Sequence, residues 1–182
     1  REGQTMEALA KLKPFFDRAY GSVTAGNSSQ ITDGAAAVVV ASEEFVVKRK
    51  LPVLGRIAGW GVAGLEPERM GLGPSRSTPV ALKHAGIGWK KVGLTEMNEA
   101  FAAQVLANLA AFAKDPSLGP VDPETPNPNG GAIALGHPVG ASGTRLILTL
   151  LKEMRRRKVG FGVATLCIGG GQGQTIVLEG VA

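Results

Sequence analysis

Strand-like apolar runs alternate with helical patterns along most of the chain, and this alternation limits the fold more than any other feature. Apolar residues recur at helical spacing between Thr144 and Arg157, and β-branched runs lie on both sides of that segment. The two closing runs, 159–168 and 174–181, are joined by a glycine-rich link, which predicts an antiparallel pair. Alternation of this kind is typical of α/β domains, so we expect a largely parallel sheet.

The remaining elements are predicted from periodicity, caps and turn residues. A helix should begin at Thr78 as the cap, with Pro79 at its first position, and should end at Gly86. The helix over 99–113 is apolar on nearly all sides, so we expect it to be buried. The other predicted elements are strands at 37–41, 52–64 and 92–98, a short helix at 43–50, and a proline-rich surface loop at 114–129.

Composition narrows the class of protein. The 182 residues are 44% apolar and 19% charged, as expected for a packed globular body. One cysteine forms no internal disulfide, which favours a reducing compartment. No apolar run is long enough to span a bilayer, and the start has no signal-peptide layout. Because the chain does not begin with Met, we expect a fragment or a processed piece of a longer protein.

The net charge of +5 comes largely from the run Met154–Lys158. We interpret this run as a solvated helix end, where cations suit the dipole, and a phosphate-facing patch is the alternative. Aromatic residues are sparse and do not interleave with the basic ones, so nucleic-acid binding is not expected.

Three polar residues stand where predicted strands end. Asn98 follows one strand, His137 lies in a glycine-rich turn, and Cys167 ends another strand. Ligands of α/β sheets gather beyond the carboxyl ends of the strands, so these three side chains are expected to share one rim. Two histidines and one cysteine at wide spacing form no local ligand pattern, so no metal site is predicted.

Each of these residues also has a purely structural interpretation. Cys167 is either a small buried apolar residue or a functional thiol beside close-packed glycines. His137 is either a turn residue or a neutral base, with Pro138 opening a helix whose dipole lowers the histidine pKa. Asn98 is a preferred helix N-cap, with Glu99 suited to the first turn. The second histidine, His84, is interpreted as a surface residue near a helix end.

Four segments, taken together and in order, resemble the thiolase family. They are Thr24–Val38 (TAGNSSQITDGAAAV), Met97–Gln104 (MNEAFAAQ), Asn129–Arg145 (NGGAIALGHPVGASGTR) and Leu166–Gly173 (LCIGGGQG). The resemblance extends from about Val23 to the end of the chain. It implies a thiolase-like α/β fold with a mixed, mostly parallel five-stranded sheet and helices on both faces. It also divides the chain into residues 1–41, which form the end of the CoA-binding loop region and the last part of an N-terminal thiolase domain, and residues 42–182, the C-terminal domain.

The resemblance further implies acyl transfer between coenzyme A and a 3-oxoacyl-CoA. Thiolases use two thiols, one of which carries the acyl group and lies in the N-terminal domain. This chain has only the second, Cys167, so the acyl-carrying thiol lies upstream of Arg1 or is absent. We therefore expect the chain by itself to be catalytically inactive.

By resemblance, four residues have catalytic roles. Cys167 is the acid and base at carbon, with its thiolate favoured by nearby N–H groups and by His137. His137 activates the missing nucleophile and donates to the thioester oxygen. Asn98 holds a water that completes one oxyanion hole with His137, and the N–H of Gly169 belongs to the second. Coenzyme A and acyl-CoA contacts are assigned to Ser29 on the pantetheine arm, to Ala100 and Phe101 in the tunnel, and to Met70 near the acyl pocket.

The resemblance implies no permanently bound cofactor, since coenzyme A is a substrate. The expected partners are the remaining N-terminal domain and further copies in a homodimer or homotetramer. The expected location is a bacterial cytoplasm or an organelle matrix. Two alternatives stay open: a 3-oxoacyl synthase of the same fold, and a non-catalytic lipid-carrier or scaffold relative.

Overall fold

The computed structural model describes residues 2–181, so the terminal residues of the two predicted domains, Arg1 and Ala182, lie outside it. Short 3-10 turns at Pro67–Leu72 and Trp89–Lys91 precede a helix that begins at Gly73 and a strand that begins at Val92. The elements are α1 (Met6–Ala10), α2 (Glu43–Arg49), β1 (Gly55–Gly64), α3 (Gly73–Ala85), β2 (Val92–Met97), α4 (Ala102–Lys114), α5 (Ala132–Leu135), α6 (Ser142–Arg157), β3 (Phe161–Ile168) and β4 (Gln172–Gly180).

The sheet has four strands in the order β1-β4-β3-β2. The predicted antiparallel pair of closing strands, β3 and β4, is confirmed. β1 also pairs antiparallel with β4, and only β2 and β3 run parallel. The α/β class is therefore confirmed, whereas the expected count of five strands and the mostly parallel pairing are wrong. The reason is that β4 returns through a tight turn and inserts between β1 and β3.

The strand predicted at 37–41 does not form. No regular secondary structure or backbone pairing is assigned to these residues in the described part of the chain, and Val39 and Val40 are 96% and 73% exposed. A run of β-branched residues has strand propensity, but a strand also requires a neighbouring strand to take its hydrogen bonds.

The outer edge of β2 is covered by a single residue of the proline-rich loop. Asn127 donates its backbone N–H to the carbonyl of Thr95 at 3.0 Å, and its side chain bonds both the N–H and the carbonyl of Met97 at 2.8 Å. Because Pro126 and Pro128 have no N–H, the loop cannot extend this contact into a strand. The predicted surface loop is confirmed, and it closes the sheet edge beside the end of β2.

Helices cover both faces of the sheet, as expected. On one face α3 and α4 enclose a core that contains Met97, Leu109 and Phe112. On the other face α6 lays the predicted apolar stripe over β2 and β3, with Leu146, Leu150 and Met154 fully buried.

Two helix predictions need correction. α3 begins at Gly73, so Thr78 and Pro79 lie inside it, and the Thr78 hydroxyl bonds Thr175 rather than a helix terminus. Its left-handed cap at Gly86 is as predicted. α4 is buried on one side only: Leu106 is 57% exposed, because nothing among residues 2–181 covers the outer face of the helix.

The basic run ends α6, which favours the solvated helix end. Arg156 and Arg157 both donate hydrogen bonds to the carboxylate of Glu153. These bonds lower the pKa of Glu153 to about 2, and the bond from Arg156 has the largest effect. Along the described part of the chain, no helix combines the length and apolar character needed to cross a membrane.

Packing of α3 on β1 depends on glycine. A Cβ at Gly61 would lie 2.5 Å from the carbonyl oxygen of Ser77 and 2.6 Å from the backbone nitrogen of Ala81. We expect Gly61→Ala to lower the free energy of unfolding by about 2 kcal/mol or more, because backbone cannot yield as a flexible side chain can. Urea unfolding measures this. Gly88→Ala is the control, since its Cβ would meet no atom within 4 Å, and equal effects of both substitutions would contradict the packing argument.

Candidate active site

A cavity of about 580 Å³ opens between α6, the ends of β3 and β4 and the loop that follows β2. Five of the eight predicted site residues line this cavity: Met70, Ala100, His137, Cys167 and Gly169. Its remaining wall is mainly aliphatic and is formed by Val139, Gly140, Gly143, Thr144, Leu146, Ile147, Ala164, Leu166, Ile168, Gln174 and Ile176. The cavity is therefore mainly apolar with a few polar groups on its wall, which is typical of small-molecule sites.

The imidazole of His137 is held between two side chains. Its Nδ1 lies 2.7 Å from the hydroxyl of Ser142, and its Nε2 lies 3.3 Å from the amide nitrogen of Asn98. Its backbone N–H donates to the carbonyl of Gln30 at 3.1 Å, which ties the histidine loop to the N-terminal segment.

These contacts determine the tautomer. The Ser142 hydroxyl donates its single proton to the carbonyl of Pro138 at 3.1 Å, so its oxygen accepts from Nδ1–H of His137. The amide nitrogen of Asn98 is a donor, so Nε2 is the acceptor. This pattern of bonds favours the tautomer with the proton on Nδ1 and the Nε2 lone pair on the side of Asn98.

The pKa of His137 is lowered, first by burial and second by the charge of Arg145. The expected cause, a helix dipole acting through Pro138, is wrong. α6 begins only at Ser142, and the Pro138 carbonyl instead closes a turn by accepting from the backbone of Ala141 and Ser142. The lowered pKa agrees with the predicted neutral imidazole. Its causes are burial and the charge of Arg145 rather than a helix dipole.

Asn98 extends the end of β2 and is fully buried, with its N–H bonded to the carbonyl of Thr165 at 3.0 Å. It does not cap α4, whose first residue is Ala102 and whose cap position is Phe101. Glu99 is likewise not in the first helical turn, since it accepts from Asn127 at 2.7 Å and from the N–H of Ile133 at 3.1 Å. The capping interpretation of Asn98 is therefore wrong.

Cys167 lies near the end of β3 and is partly buried. Burial raises the pKa of its thiol, so the expected stabilised thiolate is wrong: Cys167 rests as a protonated thiol. The glycines that follow serve the turn and its packing. Gly170 and Gly171 have φ angles of +85° and +89°, and a Cβ at Gly173 would lie 2.1 Å from the carbonyl oxygen of Gly73. A Cβ at Gly169 would meet no atom within 4 Å, so this residue borders open space.

Two predicted contact residues lie beside the cavity rather than on its wall. Ser29 donates its N–H to the carbonyl of Ala100 at 3.0 Å. The ring of Phe101 stands edge-on to that of Phe16 at 6.2 Å. His84 lies elsewhere, exposed on α3 with its ring 4.1 Å from that of Trp60, so it takes no part in this site.

The sequence did not single out the charged groups behind the site. Glu96 is fully buried on β2, and its carboxylate lies 3.4 Å from the guanidinium of Arg145 on α6. Burial raises the pKa of Glu96 to about 7, although Arg145 opposes this. The available signal was a carboxylate inside an otherwise apolar strand, where a charge requires a partner. Among residues 2–181 no group of His, Cys, Asp and Glu side chains has the arrangement of a metal site.

Comparison with known proteins agrees with this geometry. Residues 51–180 match the family model described as "Thiolase, C-terminal domain", and residues 1–44 match "Thiolase, N-terminal domain". An acetyl-CoA acetyltransferase of Pseudomonas aeruginosa is 54% identical over 98% of the chain and 43% of its own length. The human peroxisomal 3-ketoacyl-CoA thiolase is 47% identical over 98% of the chain and 41% of its own length.

The solved structures agree. A crystal structure of human mitochondrial 3-ketoacyl-CoA thiolase in complex with CoA superimposes with a TM-score of 0.93 at 45% identity, over 100% of this chain and 44% of that one. The chain thus belongs to the thiolase family and spans less than half the length of these relatives. The roles of the individual residues and the boundary at 41/42 stay predictions.

Ser142→Ala should weaken the preference of His137 for the neutral tautomer with its proton on Nδ1. Losing a hydrogen bond of about 1 kcal/mol should raise the ratio of the Nε2–H to the Nδ1–H form about fivefold. Ring nitrogen chemical shifts, recorded by NMR above the histidine pKa, measure this ratio. His84 is the internal reference, because it lies outside the site and the chain has only two histidines. An unchanged ratio would show that Ser142 does not orient the imidazole.

Glu96→Gln should change how stability depends on pH. Because the pKa of Glu96 rises from 4.5 to about 7 on folding, the unfolded chain loses this proton first. The wild-type free energy of unfolding therefore falls as pH rises from 4.5 through 7, by about 3 kcal/mol at about 1.4 kcal/mol per pKa unit. In Glu96→Gln the free energy of unfolding should not show this fall, because the side chain has no proton to lose.

Urea unfolding at pH 5 and pH 8 tests the difference in slope. The exposed carboxylate of Glu124 supplies a control, since Glu124→Gln should keep the wild-type pH dependence. If the wild type and Glu96→Gln change in parallel between these two pH values, Glu96 does not have the raised pKa.

Proposed function

We propose that this chain is the C-terminal portion of a thiolase that transfers an acyl group between coenzyme A and a 3-oxoacyl-CoA. Family membership and the printed names of the relatives, acetyl-CoA acetyltransferase and 3-ketoacyl-CoA thiolase, support this reaction class. The human structure bound to CoA supports coenzyme A as the substrate. No permanently bound cofactor is required.

The observation that carries the proposal is that His137, Cys167 and Gly169 line one mainly apolar cavity, with Asn98 directly behind the imidazole. The amide nitrogen of Asn98 lies 3.3 Å from Nε2 of that ring. Thioester chemistry needs donors at a developing oxyanion and a group that moves protons at carbon and sulfur. The amide, imidazole and thiol supply these functions.

In the cleavage direction, Nε2 of His137 removes the proton of the nucleophilic cysteine on the N-terminal domain. The thiolate attacks the 3-oxo carbon, and the bond between carbons 2 and 3 breaks. Cys167 then gives its proton to carbon 2 of the departing acetyl-CoA enolate. The raised pKa of Cys167 suits this step, since the residue must start as a thiol. The thiolate of Cys167 next takes the proton of the incoming CoA thiol, which attacks the acyl-enzyme. The bond between the acyl carbon and the nucleophilic sulfur breaks, the shortened acyl-CoA leaves, and the departing cysteine takes back its proton from Nε2 of His137.

The oxyanions of these steps need fixed donors. His137 and a water held by Asn98 are assigned to one oxygen, and the N–H of Gly169, with that of the nucleophilic cysteine, to the other. Ser29, Ala100 and Phe101 are assigned to the pantetheine arm.

The remainder of the N-terminal domain is the proposed partner of this chain. Residues 1–41 would complete that domain, and residues 42–182 would form the C-terminal one. The exposure of Ile31, Val39 and Val40 supports this, because an apolar run with strand propensity and unpaired backbone is suited to join a sheet. Assembly as a homodimer or homotetramer in a bacterial cytoplasm or an organelle matrix belongs to the same proposal.

The chain alone should not cleave acetoacetyl-CoA with CoA, because it lacks the acyl-carrying thiol. A chimera that places the N-terminal portion of the Pseudomonas aeruginosa relative upstream of Arg1 should turn over. In this chimera, Cys167→Ser should slow carbon–carbon bond formation at least about 100-fold and the acyl-enzyme burst less than about tenfold.

His137→Asn provides the contrast, since it should impair both steps. Turnover by the isolated chain, or equal losses in both steps for Cys167→Ser, would contradict the assigned roles. A chimera that folds and binds CoA without any turnover would instead favour a carrier or scaffold.

A further inference from the structure

Behind the cavity lies a pair of charged side chains for which the proposed chemistry has no use. Glu96 is 0% exposed on β2, and the side chain of Arg145 on α6 is only 23% exposed. Taking two charges out of water costs several kcal/mol per ion, and packing rarely requires it. A buried pair of this kind at the edge of a reactive site therefore needs a separate explanation.

The pair is connected to the site through two elements, β2 and α6. Along β2, Glu96 is two residues before Asn98, so both side chains lie on the face that α6 covers. Along α6, Arg145 lies three residues after Ser142, one helical turn from the hydroxyl that holds Nδ1 of His137. The pair therefore joins the two elements that hold the imidazole's partners, α6 with Ser142 and the end of β2 with Asn98.

We propose that Arg145, anchored by Glu96, is a positioning residue that keeps His137 an unprotonated imidazole. A fixed positive charge nearby opposes a second proton on the ring, while the carboxylate holds the guanidinium in place. This inference rests on the proposed function, since a base at Nε2 must be free of its proton before the nucleophile arrives.

The surrounding charges agree with this role. Of the charged groups in the described residues, Arg145 is the one whose charge lowers the pKa of His137, and Cys167 is the other titratable group on the cavity wall. Glu96 also faces Glu99, in the loop after β2, and Glu153, on α6. Burial is the largest cause of the raised pKa of Glu96, and both carboxylates add to it, so a proton remains there until nearly neutral pH. Until Glu96 ionises, the charge of Arg145 is only partly compensated.

Unpaired polar atoms mark the same place. One oxygen of Glu96, one terminal nitrogen of Arg145 and the amide oxygen of Asn98 are buried without a hydrogen-bond partner. Buried polar groups usually have partners, so a cluster of unpaired ones costs stability. The cost is understandable if the charge of Arg145 is retained for its effect on the imidazole.

NMR titration of the two histidines in this chain tests the inference without any need for turnover. Arg145→Gln should raise the pKa of His137 by about half a pH unit or more, because one nearby positive charge is lost. Arg145→Lys keeps the charge and should restore most of the wild-type value. Arg155→Gln is the matched control, because it removes an exposed charge from the same helix and should leave His137 unchanged. His84 reports whether each variant is folded.

A second comparison covers the risk that Arg145→Gln fails to fold by leaving Glu96 unpaired. Glu96→Gln and the double variant Glu96→Gln/Arg145→Gln differ only in the guanidinium, and neither contains an unpaired buried carboxylate. The pKa of His137 should be higher in the double variant. Equal values in these two, or in wild type and Arg145→Gln, would overturn the inference.

The kinetic consequence distinguishes this inference from the proposed function. In the active chimera, the acidic limb of the pH profile of kcat/KM should move to higher pH in Arg145→Gln by the amount seen in the titration. If Arg145→Gln raises the pKa of His137 in the titration but the chimera has no thiolase activity, the proposed function is wrong and the role of Arg145 stands. If the chimera is active and neither the limb nor the titration moves, the role of Arg145 is wrong.

Discussion

The parallel pairing of β2 with β3 is the constraint on which the site depends. It places Met97 beside Thr165, so the two strands end at the same edge of the sheet. Asn98 then continues β2, and Cys167 lies two residues beyond Thr165. Parallel strands share their carboxyl edge by geometry, so an amide and a thiol that are 69 residues apart in the chain come to the same edge of the sheet. The loop that carries His137 closes over this edge.

The polar groups at this edge are arranged so that the imidazole and the thiol begin in complementary states. Burial lowers the pKa of His137 and raises that of Cys167, so one group starts as a base and the other as an acid. The same physical cause, desolvation, produces both, because it disfavours whichever form is charged. Ser142 adds the orientation that leaves Nε2 unprotonated. A resting acid and a resting base are what the acyl transfer proposed for this chain would require.

Much of the fold was predictable from local pattern. The amphipathic stripe of α6, the left-handed end of α3 at Gly86 and the antiparallel closing strands all follow from neighbouring residues. The errors share one cause. Residues 37–41 have strand propensity without a partner strand, and Asn98 has N-cap propensity without an adjacent helix start. Propensity describes what a residue can do locally, whereas pairing and burial depend on distant parts of the chain.

The sequence by itself determined the α/β class, the family motifs and which side chains carry reactive groups, because these depend on composition and short-range spacing. Only the tertiary structure decided the protonation states and the supporting contacts. Ser142 selects the tautomer, and Glu96 lies beneath Arg145 because two elements meet there that are 49 residues apart in the chain. Desolvation and the field of a charge act through space, and no pattern along the chain specifies them.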